Sequence, residues 1–201
     1  MEPDGRDSAV RGGLRPHYVT MRLTDALPRP VMEAWHDDID RRVHIVSGMK
    51  GRPLAADEER TLVRRTLGRI ERFLDSGYGS CVLMDERAAG LVESVLWNGD
   101  GERYRLHAWS VMPNHVHALF SPCGSLDIEE VVTEWKAEST RKVNGELRRT
   151  GALWHPNVID YEVRLVADFA RLRSSIAQNP LQSGLMEWPF AGEESRPPVM
   201  A

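Results

Sequence analysis

Two apolar segments joined by only three residues constrain the fold of this chain more than any other feature of its sequence. Residues 104–111 and 115–120 have the apolar and aromatic content of strands, and Met112-Pro113-Asn114 lies between them. Parallel strands need a crossover of roughly a dozen residues or more, so this connection permits only an antiparallel pair. We therefore expect an antiparallel hairpin within the main sheet.

Other segments predict a further strand and several helices around this pair. Residues 17–23 alternate between apolar and polar side chains, which is typical of a half-buried strand. Helical spacing of apolar residues is found in residues 57–74, residues 85–97, a helix that Ser125 begins, and residues 165–178, which Pro180 ends. Residues 43–46 are a short strand candidate. Because strands and helices mix without regular βαβ alternation, we predict an α+β fold, an antiparallel central sheet with helices packed on one face.

The composition indicates a single domain without a membrane segment. We expect a disordered leader in residues 1–15, a folded domain in residues 16–186, and a loose Pro-, Gly- and Glu-rich tail in residues 187–201. No apolar run is long enough to cross a bilayer. Cys81 and Cys123 form no paired motif, which favours a reducing, cytoplasmic setting.

The charge distribution is uneven along the chain. A net charge of −4 counts against a broad nucleic-acid surface, because neutralising phosphates requires clustered cations. Basic residues nevertheless cluster, with few acids between them, at Lys136, Arg141, Lys142, Arg148 and Arg149. This cluster is either a local DNA-binding face or a solvated helix face. Trp135, beside Lys136, is the best candidate for stacking on an unpaired base, with burial in the core as the alternative.

The second strand of the hairpin carries the main chemical signal, His115-Val116-His117. Residues two apart on a strand project from the same face, so the two imidazoles would lie side by side and could bind one divalent cation. Two exposed histidines on a sheet face are the alternative. His107, on the neighbouring strand, could join the ligands or pack in the core.

The run that contains this pair resembles a known family. Residues 111–117 read Val-Met-Pro-Asn-His-Val-His after an apolar strand, and Trp135-Lys136, Trp154 and Asn179-Pro180 follow at matching intervals. In these motifs the chain resembles the HUH endonucleases, and more narrowly the REP-associated tyrosine transposases. The matches extend over roughly residues 17–185, and the part before residue 101 is the weaker one.

This resemblance implies an HUH-endonuclease fold of the ferredoxin-like or RRM-like type, and a mechanism. Such enzymes cut single-stranded DNA beside a REP-like hairpin. The resemblance implies that Mg²⁺ or Mn²⁺, held by His115, His117 and Asn179, polarises the scissile phosphate. A tyrosine on the last helix attacks it, which leaves a covalent 5′-phosphotyrosine and a free 3′-hydroxyl. For Asn179, a helix C-cap ahead of Pro180 is the alternative interpretation.

The sequence departs from the family at its nucleophile. The family places its tyrosine four residues before the Asn-Pro pair, and this position holds Ser175. A serine hydroxyl stops several ångströms short of a phenol on the same Cα and has a higher pKa, so canonical cleavage is expected to be lost or crippled. Ser175 as a working nucleophile and rescue by Tyr161 are the two other hypotheses.

Three functions therefore stay open at this point. The first is a transposase-like nuclease acting on hairpin-flanked single-stranded DNA, and the second is a catalytically inactive, domesticated protein that binds a DNA hairpin. The third is a metal-binding protein without a nucleic-acid partner, which the acidic composition favours. The resemblance is compatible with a monomer or a homodimer.

Overall fold

The structure is a computed structural model that describes residues 15–194, so the predicted leader lies outside the described residues except for Arg15. Ten main elements follow one another along the chain: β1 (His17–Arg22), α1 (Arg29–Lys50), α2 (Ala56–Asp75), α3 (Glu86–Trp97), β2 (Tyr104–Val111), β3 (His115–Pro122), α4 (Ile128–Glu146), β4 (Ile159–Glu162), α5 (Val166–Gln182) and β5 (Ala191–Glu193). A short 3₁₀ turn, Val82–Met84, precedes α3.

The five strands form one sheet in the order β4-β1-β3-β2-β5, and every neighbouring pair is antiparallel. The predicted hairpin is present as β2 and β3, and β3 is the central strand. His117 lies between Thr20 of β1 and Ser110 of β2 in the register. The α+β class and the antiparallel central sheet are confirmed.

Helices cover both faces of the sheet. Val116 and Phe120 of β3 point into the larger core, which includes buried residues of α3 and α4. Leu119 points the other way and packs with Leu172 and Ile176 of α5. The sequence predicted helices on one face only. α3 and α4 pack on one face, whereas α5 packs on the opposite face. Because side chains alternate along a strand, His115 and His117 lie on the α5 face.

The larger core is built around a hydrogen-bonded phenol. Tyr104 packs edge-on against Phe120 and Trp135, with ring centroids 5.6 and 5.2 Å apart. Its hydroxyl donates to the Leu96 carbonyl at 2.7 Å and accepts from Trp135 Nε1 at 2.8 Å. This buried polar group is therefore satisfied, as burial requires.

Two helices, α1 and α4, differ from the sequence expectation. Residues 43–46 lie inside α1 and are not a strand. α1 has no buried residue and contacts the core through partly buried side chains such as Trp35, so its apolar periodicity is weak. The N-cap of α4 is Asp127, whose carboxylate accepts from the backbone N–H of Glu129 at 3.0 Å, and not Ser125.

The C-terminal elements also extend beyond their predicted limits. α5 continues through Pro180 to Gln182, because the proline lies in the last turn and the carbonyls of Asn179 and Pro180 still accept backbone hydrogen bonds. The tail was expected to be loose from residue 187, yet residues 187–194 fold onto the sheet. Trp188 Nε1 donates to the Val111 carbonyl at 2.6 Å, and β5 pairs with β2. Residues 195–201 lie outside the described residues.

Candidate metal centre

The two histidines of β3 converge on one point. Their Nε2 atoms are 3.0 Å apart, and their ring centroids are separated by 4.6 Å. His115 is fully buried and His117 retains 4% of its exposure, while Val116 between them points into the opposite core. The structure therefore brings the two predicted ligand atoms together on the face that α5 covers.

The outer nitrogen of His115 fixes which tautomer this ring adopts. Asn114 donates through Nδ2 to the carbonyls of Leu74 and Tyr78, at 3.1 and 2.9 Å, which sets the orientation of its amide. The Asn114 Oδ1 atom then lies 2.7 Å from His115 Nδ1 and can only accept a hydrogen bond. His115 Nδ1 must carry the proton, so its Nε2 presents a lone pair.

The same argument applies to His117 through a different chain of partners. Tyr18 donates its single hydroxyl hydrogen to Glu71 at 2.8 Å, so its oxygen accepts from His117 Nδ1 at 2.9 Å. The Thr20 hydroxyl lies 2.8 Å from the same nitrogen. The Tyr18 oxygen thus favours the tautomer with the proton on Nδ1, in which His117 Nε2 also presents a lone pair. Partners of this kind orient metal-bound histidines and select the tautomer.

In these tautomers two Nε2 lone pairs face each other at 3.0 Å, an arrangement that a cation between them would stabilise. Burial lowers the pKa of His117 to about 4 and, with a smaller contribution from His117, lowers that of His115 well below its ordinary value. Both rings are therefore neutral at neutral pH, which is the form that binds metal. Two ligands about 2.1 Å from an octahedral cation and at right angles are about 3.0 Å apart, so the observed separation fits such an ion.

Asp75, the last residue of α2, is a third candidate ligand, and the sequence alone did not single it out. Its Oδ1 lies 3.6 Å from His115 Nε2, and one ligand atom from each of Asp75, His115 and His117 lies within 4.8 Å of the others. Asp75 Oδ1 is buried and has no hydrogen-bond partner within residues 15–194. An orphaned carboxylate oxygen beside two lone pairs suits a divalent cation.

The pKa of Asp75 is raised, first by burial, while hydrogen bonds from Asn179 and Ser183 oppose that shift. A signal for this residue was present in the sequence. An acidic side chain in the last turn of a helix is disfavoured by the helix dipole, so Asp75 required another reason to be there.

Asn179 lies next to this cluster on α5. Hydrogen bonding from its side chain lowers the pKa of Asp75, and its Oδ1 accepts from Ser183 Oγ at 3.3 Å. The helix continues beyond it and the C-cap is Ser183, so the alternative interpretation of Asn179 as a helix C-cap is wrong.

A cavity of about 490 Å³ opens beside the cluster. The sheet contributes Tyr18, His117 and Tyr161 to its lining, and α5 contributes Ser175 and Asn179. Ser175 is exposed and lies one helical turn before Asn179. Tyr161 is half-buried on β4, with its ring centroid 5.1 Å from that of Tyr18. Both candidate nucleophiles therefore line the same cavity as His117.

His107, in contrast, packs in the core. Its Nε2 lies 2.8 Å from the Ser121 hydroxyl, and its ring is edge-on to Phe169. Burial lowers its pKa to about 4. Of the two interpretations of His107, the structure agrees with the packed one.

The residues predicted to contact DNA lie on or directly after α4, on the other face of the sheet. Trp135 is only 3% exposed and packs on Phe120, so the prediction that it stacks on bases is wrong. Lys136 donates to the carbonyls of His155 and Pro156 at 2.9 and 2.8 Å, and therefore holds a loop.

The remaining basic residues of this group are partly neutralised or constrained. Arg141 and Lys142 both pair with Glu138. Arg148 has a left-handed backbone, with φ of 51°, and Arg149 Nη1 is buried without a hydrogen-bond partner in the described part of the chain. This basic group does not line the cavity beside the histidines.

Comparisons with known proteins agree with the hairpin motif. Residues 82–162 match the family model described as "Transposase IS200 like", a range that includes α3, β2, β3, α4 and β4. The resemblance to these transposases is thus confirmed over that segment, which includes both histidines. No curated protein matches the chain.

Two solved structures are similar to this chain at low sequence identity. One is a REP-associated tyrosine transposase bound to a REP hairpin, with 16% identity, a TM-score of 0.44, and coverage of 95% of this chain and 82% of that chain. The other is a Deinococcus radiodurans R1 protein described as a transposase, with 14% identity, a TM-score of 0.34, and coverage of 89% and 97%. Both likenesses are distant. Within residues 15–194, none of the helices has the length and apolar content that a bilayer span requires.

Proposed function

We propose that this chain is a transposase-related HUH protein, and that it binds a single-stranded DNA hairpin in the cavity beside the two histidines. The premise is that residues 82–162 match the IS200-like transposases. The observation that carries this proposal is the pair of Nε2 atoms 3.0 Å apart, beside a carboxylate oxygen of Asp75 without a hydrogen-bond partner in residues 15–194 and an open cavity. The histidines of a packed core would instead have their ring nitrogens saturated by protein partners, as His107 has on its Nε2.

The chain's own residues prepare this site for a hard divalent cation. His115, His117 and Asp75 would hold Mg²⁺ or Mn²⁺, with the Asn179 amide next to them. When bound, the ion would supply Lewis-acid polarisation of a phosphate oxygen. Asn114 and Tyr18 hold the imidazoles in the ligating tautomer, and α5 covers the buried side of the cavity with Ile176.

We further propose that the site binds DNA without forming the covalent intermediate of the family on α5. Ser175 lines the cavity, but its hydroxyl lies close to its own backbone and cannot reach as far as a phenol would from the same position. In-line attack tolerates little displacement, so this substitution removes the reaction rather than slowing it slightly.

One observation favours a second candidate, in which Tyr161 is the nucleophile. Tyr161 also lines the cavity, with its ring beside Tyr18 and on the side of the sheet that carries His117. In that reaction a bond forms between the Tyr161 oxygen and phosphorus, the P–O3′ bond breaks, and the departing 3′-oxygen takes up the phenol proton.

The proposal also includes the setting in which the protein works. We place it in the cytoplasm, where Cys81 and Cys123 stay free thiols as they are in the structure. Arg148 and Arg149 remain predicted contacts to the phosphates of a hairpin stem. Light scattering of the DNA complex distinguishes the monomer from the homodimer.

The test is to incubate the protein with a labelled single-stranded hairpin oligonucleotide and Mn²⁺, and to measure binding and denaturation-resistant adducts separately. We expect binding without an adduct for the natural sequence, and an adduct for Ser175→Tyr. An adduct that Ser175→Ala abolishes identifies serine as the nucleophile, and one that only Tyr161→Phe abolishes identifies Tyr161. Metal binding without any DNA binding at low salt refutes the proposal in favour of a metal-binding protein with no nucleic-acid partner.

A further inference from the structure

The charged side chains around the cavity are nearly balanced. The lining includes three carboxylates, Glu71, Asp75 and Asp168, and two guanidinium groups, Arg72 and Arg171. Their formal sum is −1, so the cavity alone does not attract a phosphate. A divalent cation at the histidine cluster makes this formal sum positive. Without the two arginines the sum would stay negative even with the cation bound.

The two arginines come from the two helices that wall the cavity. Arg72 lies in the last turn of α2, one turn before Asp75, and Arg171 lies on α5, one turn before Ser175. Both side chains are exposed, and both line the cavity that His117 also lines. A guanidinium presents parallel N–H donors that match two oxygens of one phosphate.

The ion pair that Arg171 makes in the structure is a weak competitor for DNA. Its Nη2 is 3.4 Å from Asp168 Oδ1, one helical turn away, and the arginine side chain is 67% exposed. Exposed pairs of this type contribute little, so Arg171 can exchange the carboxylate for a phosphate at low cost. The basic residues of α4 lie on the opposite face of the sheet and do not contribute to this cavity.

We propose that Arg72 and Arg171 are positioning residues that hold a backbone phosphate of the DNA across the mouth of the metal cavity. The inference rests on the proposed function. It makes DNA binding dependent on the cation, because without the ion the carboxylates outnumber the arginines. It also explains how a chain with a net charge of −4 binds a polyanion without a broad basic surface.

The test is fluorescence anisotropy of a labelled single-stranded hairpin oligonucleotide, titrated with full-length protein in Mn²⁺ or in EDTA over a range of NaCl concentrations. In Mn²⁺ we expect Arg72→Gln and Arg171→Gln each to weaken binding roughly tenfold and to lower the salt slope by about one. The control is Arg42→Gln, which makes the same charge change on α1, where Arg42 pairs with Asp38. In EDTA we expect weak binding that these variants barely change.

A variant that is expected to strengthen binding controls for loss of binding through misfolding. Asp168→Asn removes the carboxylate that competes for Arg171, so binding in Mn²⁺ should tighten several-fold. If Arg72→Gln and Arg171→Gln bind as Arg42→Gln does, while His117→Ala abolishes Mn²⁺-dependent binding, the positioning role is refuted and the proposed function survives. If the natural sequence fails to bind the oligonucleotide in Mn²⁺ at low salt, the proposed function itself fails.

Discussion

Replacing Asn114 by alanine tests the reasoning on which the metal centre rests. Asn114 is 1% exposed and makes three hydrogen bonds, to the carbonyls of Leu74 and Tyr78 and to His115 Nδ1, at 3.1, 2.9 and 2.7 Å. It therefore joins the β2–β3 turn to the end of α2, which carries Asp75. At about 1 kcal/mol net for each bond, the loss in unfolding free energy is about 3 kcal/mol.

The same substitution frees the His115 ring to adopt either tautomer. Loss of an orienting partner of a metal-bound histidine typically lowers metal affinity by roughly 10- to 100-fold. The two effects are measured separately, by thermal unfolding of the metal-free protein and by calorimetric titration with Mn²⁺. For a chain of this size, a loss of about 3 kcal/mol corresponds to a fall in Tm of about 10 °C.

The matched control is Asn144→Ala. Asn144 makes one side-chain hydrogen bond to backbone, from its Nδ2 to the Gly151 carbonyl at 2.8 Å, and lies on α4, away from the histidines. We expect it to lose about 1 kcal/mol and to keep its Mn²⁺ affinity. If Asn114→Ala were no less stable than Asn144→Ala and bound Mn²⁺ equally well, the tautomer argument would be refuted.

Four further predictions follow from single side chains. Asp75→Asn should weaken Mn²⁺ binding roughly tenfold or more in the same titration while leaving the metal-free unfolding midpoint close to that of the natural sequence. Burial lowers the pKa of His107 from 6.5 to about 4, so the native state binds fewer protons than the unfolded chain between these values, and stability falls by up to about 3 kcal/mol as the pH drops through this window. Urea unfolding at pH 7 and pH 4.5 should show that His107→Gln flattens this dependence, and an unchanged slope would contradict it. Gly79→Ala should cost about 2 kcal/mol, because a Cβ there would lie 2.6 Å from the Asp25 carbonyl oxygen at a φ of +94°, whereas Gly145→Ala, with nothing within 4 Å, should stabilise α4 by about 0.5–1 kcal/mol. Trp135→Phe should lower the free energy of unfolding by about 1–2 kcal/mol in denaturant, because Trp135 is a core residue that donates to Tyr104. Its affinity for the DNA hairpin should not change, and weaker DNA binding by the folded variant would support a DNA-contacting role for Trp135.

The parts of the fold that could be predicted are those that local sequence encodes. Three residues between two apolar strands fix an antiparallel hairpin, and the period of two fixes that His115 and His117 share a face. Neither inference needs information from elsewhere in the chain. The same holds for α3, which was predicted over residues 85–97 and begins after its N-cap Asp85, whose side chain accepts from the backbone N–H groups of Arg87 and Ala88.

The parts that could not be predicted depend on contacts between distant segments. Asp75 comes to the histidines from the end of α2, and no pattern within α2 states which strand it will meet. Residues 43–46 have local strand preference, but they belong to a long helix held through partly buried side chains such as Trp35. The side of the sheet that α5 occupies likewise follows from its packing on Leu119 and not from its own periodicity.

Misassignment of Trp135 has a similar origin. A tryptophan beside a lysine has the composition of a base-stacking site, and only the tertiary structure shows that the ring points toward Phe120. The tail was misjudged because β5 is short and contains Gly192, which lacks a Cβ where one would lie 2.8 Å from the Trp109 ring. Its pairing is secured by Trp188 on Val111, a contact without a local signature.

The central position of β3 determines when the metal centre can form during folding. The β2–β3 hairpin closes locally and quickly, but Thr20 lies 97 residues before His117, and such a long loop makes the docking of β1 slow. Until β1 docks, His117 Nδ1 lacks its contacts with the hydroxyl groups of Tyr18 and Thr20. The two imidazoles then lie on a two-stranded hairpin without the partners that fix the orientation of His117. We therefore expect the rigid centre to form in a late folding step, after the β2–β3 hairpin that contains both histidines.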